Sequence, residues 1–412
     1  MYLEVPEQVC ILAPDLVPVW SGIATYTIGL LKNMPNDIEL HVLTTKRELP
    51  GVDPENEMRL LLKETGKNVK IYPVCRSTKT LWDHAKFQAT CLRVIPELHR
   101  QSNFDLLHVN FPLMSELLIT VTKRLRIPVV STIHTTIEGQ HRGVKIGQTE
   151  ISKLEQTDFA NLFLNLPLRL AEYVCLSHYS KLIATSNFIM NELKTCFPFI
   201  AEEDISVVHN GVDTTFFHST NDYGNGKIAK LKATNRPIVL FTGRFVASKG
   251  IHNLVQAIPR VVKDHPDVLF VFTGGGDYLH YFKTLKQKTR RENCCFLGYL
   301  PRQDMPKVYS LASVYVMPTL YESFPLRLLE SMACENAVVA TRVCGIPEVI
   351  RSGENGFLIP PRDSHSLAET VGNLLGDAHL LRKIGARARN TILTGFSAKI
   401  MAEKTLDIYN GF

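Results

Sequence analysis

Short β-branched runs alternate with helix-period segments along almost the whole chain, and this alternation restricts the fold to parallel sheets assembled from βαβ units. In the first half the expected strands cover residues 9–13, 38–43, 106–109, 129–133, 182–185 and 205–208, with helices between them, notably over 83–100 and 113–124. In the second half, residues 237–241, 268–272, 314–317 and 337–340 repeat the pattern. At 412 residues the chain is too long for one typical core, so two domains follow. The turn-rich polar segment 219–226 has no apolar periodicity and reads as the linker. The expected organisation is therefore a domain over 1–218 and another over 219–395, both α/β and Rossmann-like. A final helix over 396–412 either closes the second domain or reaches back to the first.

Composition narrows the class. A hydrophobic fraction of 45% and a charged fraction of 21% are those of an ordinary globular protein. No apolar run is long enough to span a bilayer. The amino terminus lacks the basic stretch of a signal peptide. Nine cysteines, without a Cys-x-x-Cys pair, suit a reducing compartment better than a disulfide framework, and a cytoplasmic protein is expected. Adjacent Cys294 and Cys295 are most simply strand residues. The net charge of +6 is uneven: residues 1–220 carry 21 basic and 24 acidic side chains, leaving 25 and 16 for the rest, or −3 and +9. The carboxyl-terminal half is the better home for an anion. Nucleic acid is the weaker explanation, because the positive charges form no stripe and no aromatic stacking motif accompanies them.

The most informative local feature is the interval from Glu322 to Glu330, in Tyr-Glu-Ser-Phe-Pro-Leu-Arg-Leu-Leu-Glu. Phe324-Pro325 reads as a helix entrance, with proline at the first helical position. From there the helical period puts Leu326, Leu328, Leu329, Met332 and Ala333 on one face and Arg327 and Ser331 opposite. Glu330 falls at the edge of the apolar stripe. Glu322 lies in the loop between strand 314–317 and this helix, at the carboxyl end of a strand, where open α/β sheets bind ligands. A capping and a solvated glutamate would account for the spacing equally well.

A second loop, Gly243-Arg-Phe-Val-Ala-Ser-Lys-Gly250, follows the second domain's first strand. It opens a helix, at Ser248 or Lys249, whose first amides can meet an anion. Arg244 and Lys249 add a planar fork and a point charge, which together make a diphosphate clamp. Gly274 to Gly276 end the next strand in a weaker glycine loop that lacks the dinucleotide fingerprint. In the first half, Ser21-Gly22 follows the first strand and could admit a ligand to its backbone, although a helix cap alone explains Ser21. His134 follows strand 129–133, again at a carboxyl end. Motifs for a Walker ATPase, a serine hydrolase elbow, a zinc hydrolase and the short Asp-x-Asp metal site are all missing.

Taken together and in this order, these segments resemble the GT-B glycosyltransferases, specifically the retaining family 4, over nearly the full length. The matching elements are Ser21-Gly22, His134, Asn210-Gly-Val-Asp213, Gly243-Arg244 with Lys249-Gly250, Glu322 to Glu330, Ala337-Val-Val-Ala-Thr341 and Gly345-Ile-Pro-Glu348. The resemblance implies two Rossmann-like doubly wound domains facing across a cleft, the first binding acceptor and the second the donor. It also implies a retaining transfer of a sugar from a nucleoside diphosphate donor, with no metal and no further cofactor. Carried over by position, Glu330 would accept from the ribose hydroxyls, Glu322 would face the donor sugar, and Arg244 and Lys249 would hold the diphosphate. His134 would line the sugar and acceptor side. Gly22, Gly243, Ser323 and the amides of Phe324 and Leu326 would complete the donor contacts. Three departures stand out: Pro325, Ile23 and Ile346 replace glycines common in the family, and Pro325 removes an amide. UDP-glucose and GDP-mannose are both compatible donors, and the acceptor could be a glycan, a lipid or a small molecule. Lipid acceptors leave a peripheral membrane association open, though no helix is both basic and amphipathic enough to carry it. A nucleotide-sugar 2-epimerase and a non-catalytic nucleotide-sugar binder are the competing readings.

Overall fold

The computed structural model describes residues 6–18, 21–48, 53–65, 68–77, 81–110, 124–147, 165–276 and 291–412. The helix expected over 113–124 falls almost wholly outside them. By their contacts, Met1–His141, Leu154–Gly211 and Ala398–Phe412 group as one unit, and Arg142–Lys153 with Val212–Ser397 as the other.

The first unit holds a parallel sheet of seven strands: β1 Gln8–Leu12, β2 Glu39–Lys46, β3 Val69–Arg76, β4 Leu106–Val109, β5 Val129–Ile133, β6 Lys181–Ala184 and β7 Ile205–Val207. Their order is β3-β2-β1-β4-β5-β6-β7. The second unit holds six parallel strands: β8 Ile238–Thr242, β9 Leu269–Thr273, β10 Cys294–Gly298, β11 Val314–Met317, β12 Ala337–Thr341 and β13 Phe357–Ile359, in the order β10-β9-β8-β11-β12-β13. In each sheet the order reverses once, between β1 and β4 and between β8 and β11, the place where ligands meet doubly wound sheets. The central strands are buried on both faces; β4, β5, β8, β9, β11 and β12 are buried along their whole length. That is why they read as continuous apolar runs.

β3 and β13 have no counterpart among the expected strands, β10 is foreshadowed only by Cys294 and Cys295, and all three lie at sheet edges. β3 contains Pro73 and is largely half-exposed, a composition that only an edge strand tolerates. β13 is three residues long. β10 takes in Cys294 and Cys295. An edge strand pairs on one side only, so weaker hydrophobic patterning suffices to hold it.

The domain junction differs from the expected one. The chain passes from the first unit to the second at Gly211 rather than at residue 218, and returns at Ala398 rather than 396. The segment read as a linker belongs to the second unit. Phe217 is buried in its core, the Val212 amide donates to the Phe396 carbonyl, and the Thr220 amide donates to the Ser310 hydroxyl at 2.9 Å. Polar turn residues here fasten the chain to the helix Met305–Leu311 rather than let it swing free.

The last helix, Ala398–Tyr409, belongs to the first unit. It packs on the helix Gly22–Asn33, where a side chain at Gly29 would stand 3.4 Å from Met401 and 3.5 Å from Ala398. Its Tyr409 hydroxyl bonds to Nδ1 of buried His108 on β4. His108 Nε2 lies 2.7 Å from the Thr132 hydroxyl, which in turn lies 3.1 Å from the Tyr26 hydroxyl. Burial holds the His108 imidazole down to about 3, so this network is neutral and joins the helix to the sheet through hydrogen bonds.

Candidate active site

In the second unit the loops after β8 and β11 are adjacent because those strands pair. After β8 come Gly243 and Arg244, then a single tight turn Ala247–Lys249, then Gly250, which caps the helix Ile251–Asp264 with φ +65°. The helix thus begins later than Ser248 or Lys249, the expected openings. Gly250 is required by space as well as by backbone: a Cβ there would lie 1.7 Å from the Pro318 carbonyl oxygen at the end of β11. The Leu320 amide donates to the Ser248 carbonyl at 2.7 Å, and the Thr319 hydroxyl lies 3.0 Å from the same oxygen. The two loops are therefore welded together. Across this weld the Lys249 ammonium bonds the Glu322 carboxylate, with each side chain about one quarter exposed (24% each).

The glycine loop after β9 closes on the same edge. The Gly243 amide donates to Thr273, the Phe245 amide to Gly275 and the Gly274 amide to Gly298. A Cβ on Gly274 would lie 2.0 Å from the Gly243 carbonyl oxygen, so that glycine serves loop-to-loop packing.

The helix Leu326–Ala333 carries the second glutamate. Pro325 is its N-cap, at φ −89° and ψ 101°, and not its first helical residue. The cap makes no side-chain bond, and the Leu328 and Leu329 amides donate to the Pro325 carbonyl at 3.1 and 3.4 Å. Ser323 and Phe324 are buried, and the Phe324 ring packs on Phe396. Glu330 is 8% exposed and accepts from the Tyr309 hydroxyl at 2.8 Å. Burial raises its carboxyl above the ordinary range, while Arg302, Tyr309 and Arg327 pull it back. Ser331, expected opposite the buried face, is fully buried. This helix packs on the helix Ala378–Gly395 as well as on the sheet, so two of its sides are covered. Arg327 is exposed as expected, yet its guanidinium lies over Gly243: a Cβ at that glycine would stand 2.7 Å from Arg327 Nη1.

In the first unit, Ser21 caps the helix Gly22–Asn33 by accepting from the Ala24 amide at 3.1 Å, which is the simpler of its two readings. Gly22 is exposed, and a Cβ there would meet nothing within 4 Å. The same helix presents Tyr26 edge-on to His134, with ring centroids 4.8 Å apart. His134 Nε2 is sealed from solvent and has no hydrogen-bond partner among the described residues. Burial depresses this imidazole to about 4, leaving it neutral at physiological pH. A buried ring nitrogen without a partner is costly, and a ligand hydroxyl would satisfy it.

Tyr309, Tyr26 and Arg302 were not among the expected site residues. Each stands on a helix or turn whose local pattern shows only an aromatic or a surface cation, and only the packing reveals what it touches.

Each unit is a doubly wound parallel sheet, and in the second the loops after β8 and β11 meet at the switch point, the edge where sheets of this kind bind ligands. Two family models cover most of the chain, one described as glycosyltransferase family 4 over residues 20–216 and the other as glycosyl transferases group 1 over 226–391. The chain belongs to this family and is a glycosyltransferase of the GT-B fold. Among curated relatives it is 33% identical to the alpha-maltose-1-phosphate synthase of Mycolicibacterium smegmatis over 242 residues, which is 55% of this chain and 62% of that enzyme. It is 25% identical to an uncharacterized glycosyltransferase of Methanocaldococcus jannaschii over 394 residues, 94% of either chain. Among solved structures it is similar in fold to Anabaena HepE in complex with UDP-glucose, with a TM-score of 0.72, 18% identity and coverage of 98% of this chain and all of that one.

Proposed function

We propose that the chain is a retaining, metal-independent hexosyltransferase that moves a hexose from a nucleoside diphosphate sugar to a glycan, lipid or small-molecule acceptor. UDP-glucose and GDP-mannose are the donors we favour, the first because a similar fold holds it. The nine thiols are all free, which fits a cytoplasmic enzyme working with or without a membrane surface nearby.

One observation carries the reading: Lys249, Glu322, Arg244 and Gly243 share one sheet edge, with Glu330 anchored by Tyr309 on the helix beside it. Transfer builds negative charge on the leaving diphosphate and positive charge on the anomeric carbon. Fixed cations and free helix amides stabilise the first, and the Glu322 carboxylate suits the sugar end. Glu322 is held by Lys249, and Glu330 is buried against a tyrosine. Neither is arranged as half of a nucleophile and acid pair. Retention then follows from front-face attack. The bond from the anomeric carbon to the phosphate oxygen breaks, the acceptor oxygen bonds on the same face, and its proton passes to the departing phosphate.

The test needs no acceptor. UDP-glucose and GDP-mannose are incubated with the protein, with and without EDTA, and proton NMR follows the sugar released to water. The expected result is slow release of nucleoside diphosphate with retained anomeric configuration, unchanged by EDTA. Inverted sugar or loss of activity in EDTA would overturn the mechanism, and an epimerised nucleotide sugar would favour the isomerase reading.

A further inference from the structure

We propose that Arg327 is a third cation of the diphosphate site, standing in for the amide that Pro325 removes; this rests on the donor-site reading above. Three observations converge on it. The guanidinium lies over the backbone of Gly243, in the space a side chain would fill, at the carboxyl end of β8. It is therefore on the same edge as Arg244 and Lys249. Arg327 also sits in the first turn of the helix Leu326–Ala333, where the helix's own positive end disfavours a cation. Among the described residues it makes no hydrogen bond or ion pair to offset that repulsion, while its charge acts on Glu330, Tyr309 and Tyr315 below it. A bound anion would offset the repulsion at the helix start.

The local chemistry explains why this chain gains from a cation there. Proline at 325 offers no N–H, so the helix start has one donor fewer than a glycine would provide. Glu322 offsets the charge of Lys249, which lowers what the loop after β8 can offer a dianionic group. An arginine side chain restores both a donor and a charge, and its planar fork matches phosphate oxygens bidentately. The cost is borne by Gly243, which must stay a glycine for the guanidinium to lie there.

The test compares Arg327→Gln and Arg327→Lys with the unmodified protein. Binding of UDP, UMP and uridine, and of GDP, GMP and guanosine, is measured by calorimetry for the nucleotides and ligand-observed NMR for the nucleosides. Arg327→Gln should weaken the diphosphate by about 10-fold to 100-fold, the scale of one charge-assisted hydrogen bond, weaken the monophosphate less and leave the nucleoside unchanged. Arg327→Lys should fall between, since it keeps the charge and loses the fork. An equal loss for nucleoside and diphosphate would place the effect at Glu330 and overturn the proposal, as would diphosphate binding by Arg327→Gln as tight as that of the unmodified protein. Failure of the unmodified protein to bind any nucleotide would overturn the donor reading and this assignment together.

Discussion

The Lys249 ammonium rests on the Glu322 carboxylate, joining the loop after β8 to the loop after β11 across 73 residues of chain. Under the proposed function this pair sets a phosphate-binding charge against a sugar-facing one. Its two members should therefore respond to substitution in opposite directions. Lys249→Ala should lower turnover by roughly 100-fold to 1000-fold, the usual effect of removing a transition-state donor. Glu322→Gln releases Lys249 and should tighten nucleoside diphosphate binding by roughly 2-fold to 5-fold, the worth of a part-exposed ion pair, while turnover still falls. Calorimetry and donor-hydrolysis rates check both, and weaker diphosphate binding in Glu322→Gln would show that the pair does not compete with the ligand.

Gly250→Ala should damage the site through its frame. The left-handed backbone alone costs about 1–3 kcal/mol for a side chain, and the new methyl would overlap the Pro318 carbonyl. Gly226→Ala is the control, because nothing lies within 4 Å of its missing side chain. Urea denaturation should separate the two variants clearly.

Glu172 predicts a pH dependence of stability. It is almost fully buried and accepts the Ile137 amide with both oxygens, at 3.1 and 3.2 Å. Burial, with Glu192 nearby, raises its carboxyl to about 8 despite that amide and Arg169. The folded state therefore keeps a proton that the unfolded state releases above the ordinary glutamate range. This contribution is fully present at low pH and declines as pH rises from about 4.5 to about 8, by at most about 1.4 kcal/mol per pH unit. Glu172→Gln should flatten that decline, read as the difference in urea midpoint between the two proteins across pH 5 to 9. Parallel curves would show that Glu172 does not titrate there.

Tyr409→Phe should loosen the last helix. It leaves buried His108 Nδ1 without its partner, at a cost of about 1–3 kcal/mol. Hydrogen exchange should rise along Ala398–Tyr409 before the rest of the first unit, and unchanged protection would mean that packing of Met401 and Ala402 is sufficient.

His134 bears on how much of the site is legible in the residues. Its place after β5 follows from strand pattern alone, and the structure leaves it at that strand's carboxyl end. That its Nε2 is sealed and partnerless, and that its ring meets Tyr26 on a helix more than a hundred residues earlier, is not written in the strand pattern. Likewise the Glu322 to Glu330 spacing marks a loop and a helix correctly, yet Pro325 caps that helix instead of opening it. Ser331 is buried because a second helix, distant in sequence, covers that side. The edge strands β3 and β13 escape notice for the converse reason: one-sided pairing leaves little hydrophobic pattern to read.

Sequence by itself determined the alternating architecture, the carboxyl-end positions of Gly243, Arg244, Lys249 and Glu322, and the place of Glu330 on the following helix, because hydrophobic period and turn chemistry are settled within a few residues. Only the tertiary structure decided that Lys249 meets Glu322, that Tyr309 holds Glu330 and that Arg327 reaches Gly243. The first and third depend on β8 lying beside β11, a pairing made by non-local packing that no local period encodes, and the second on the packing of the two helices that flank β11.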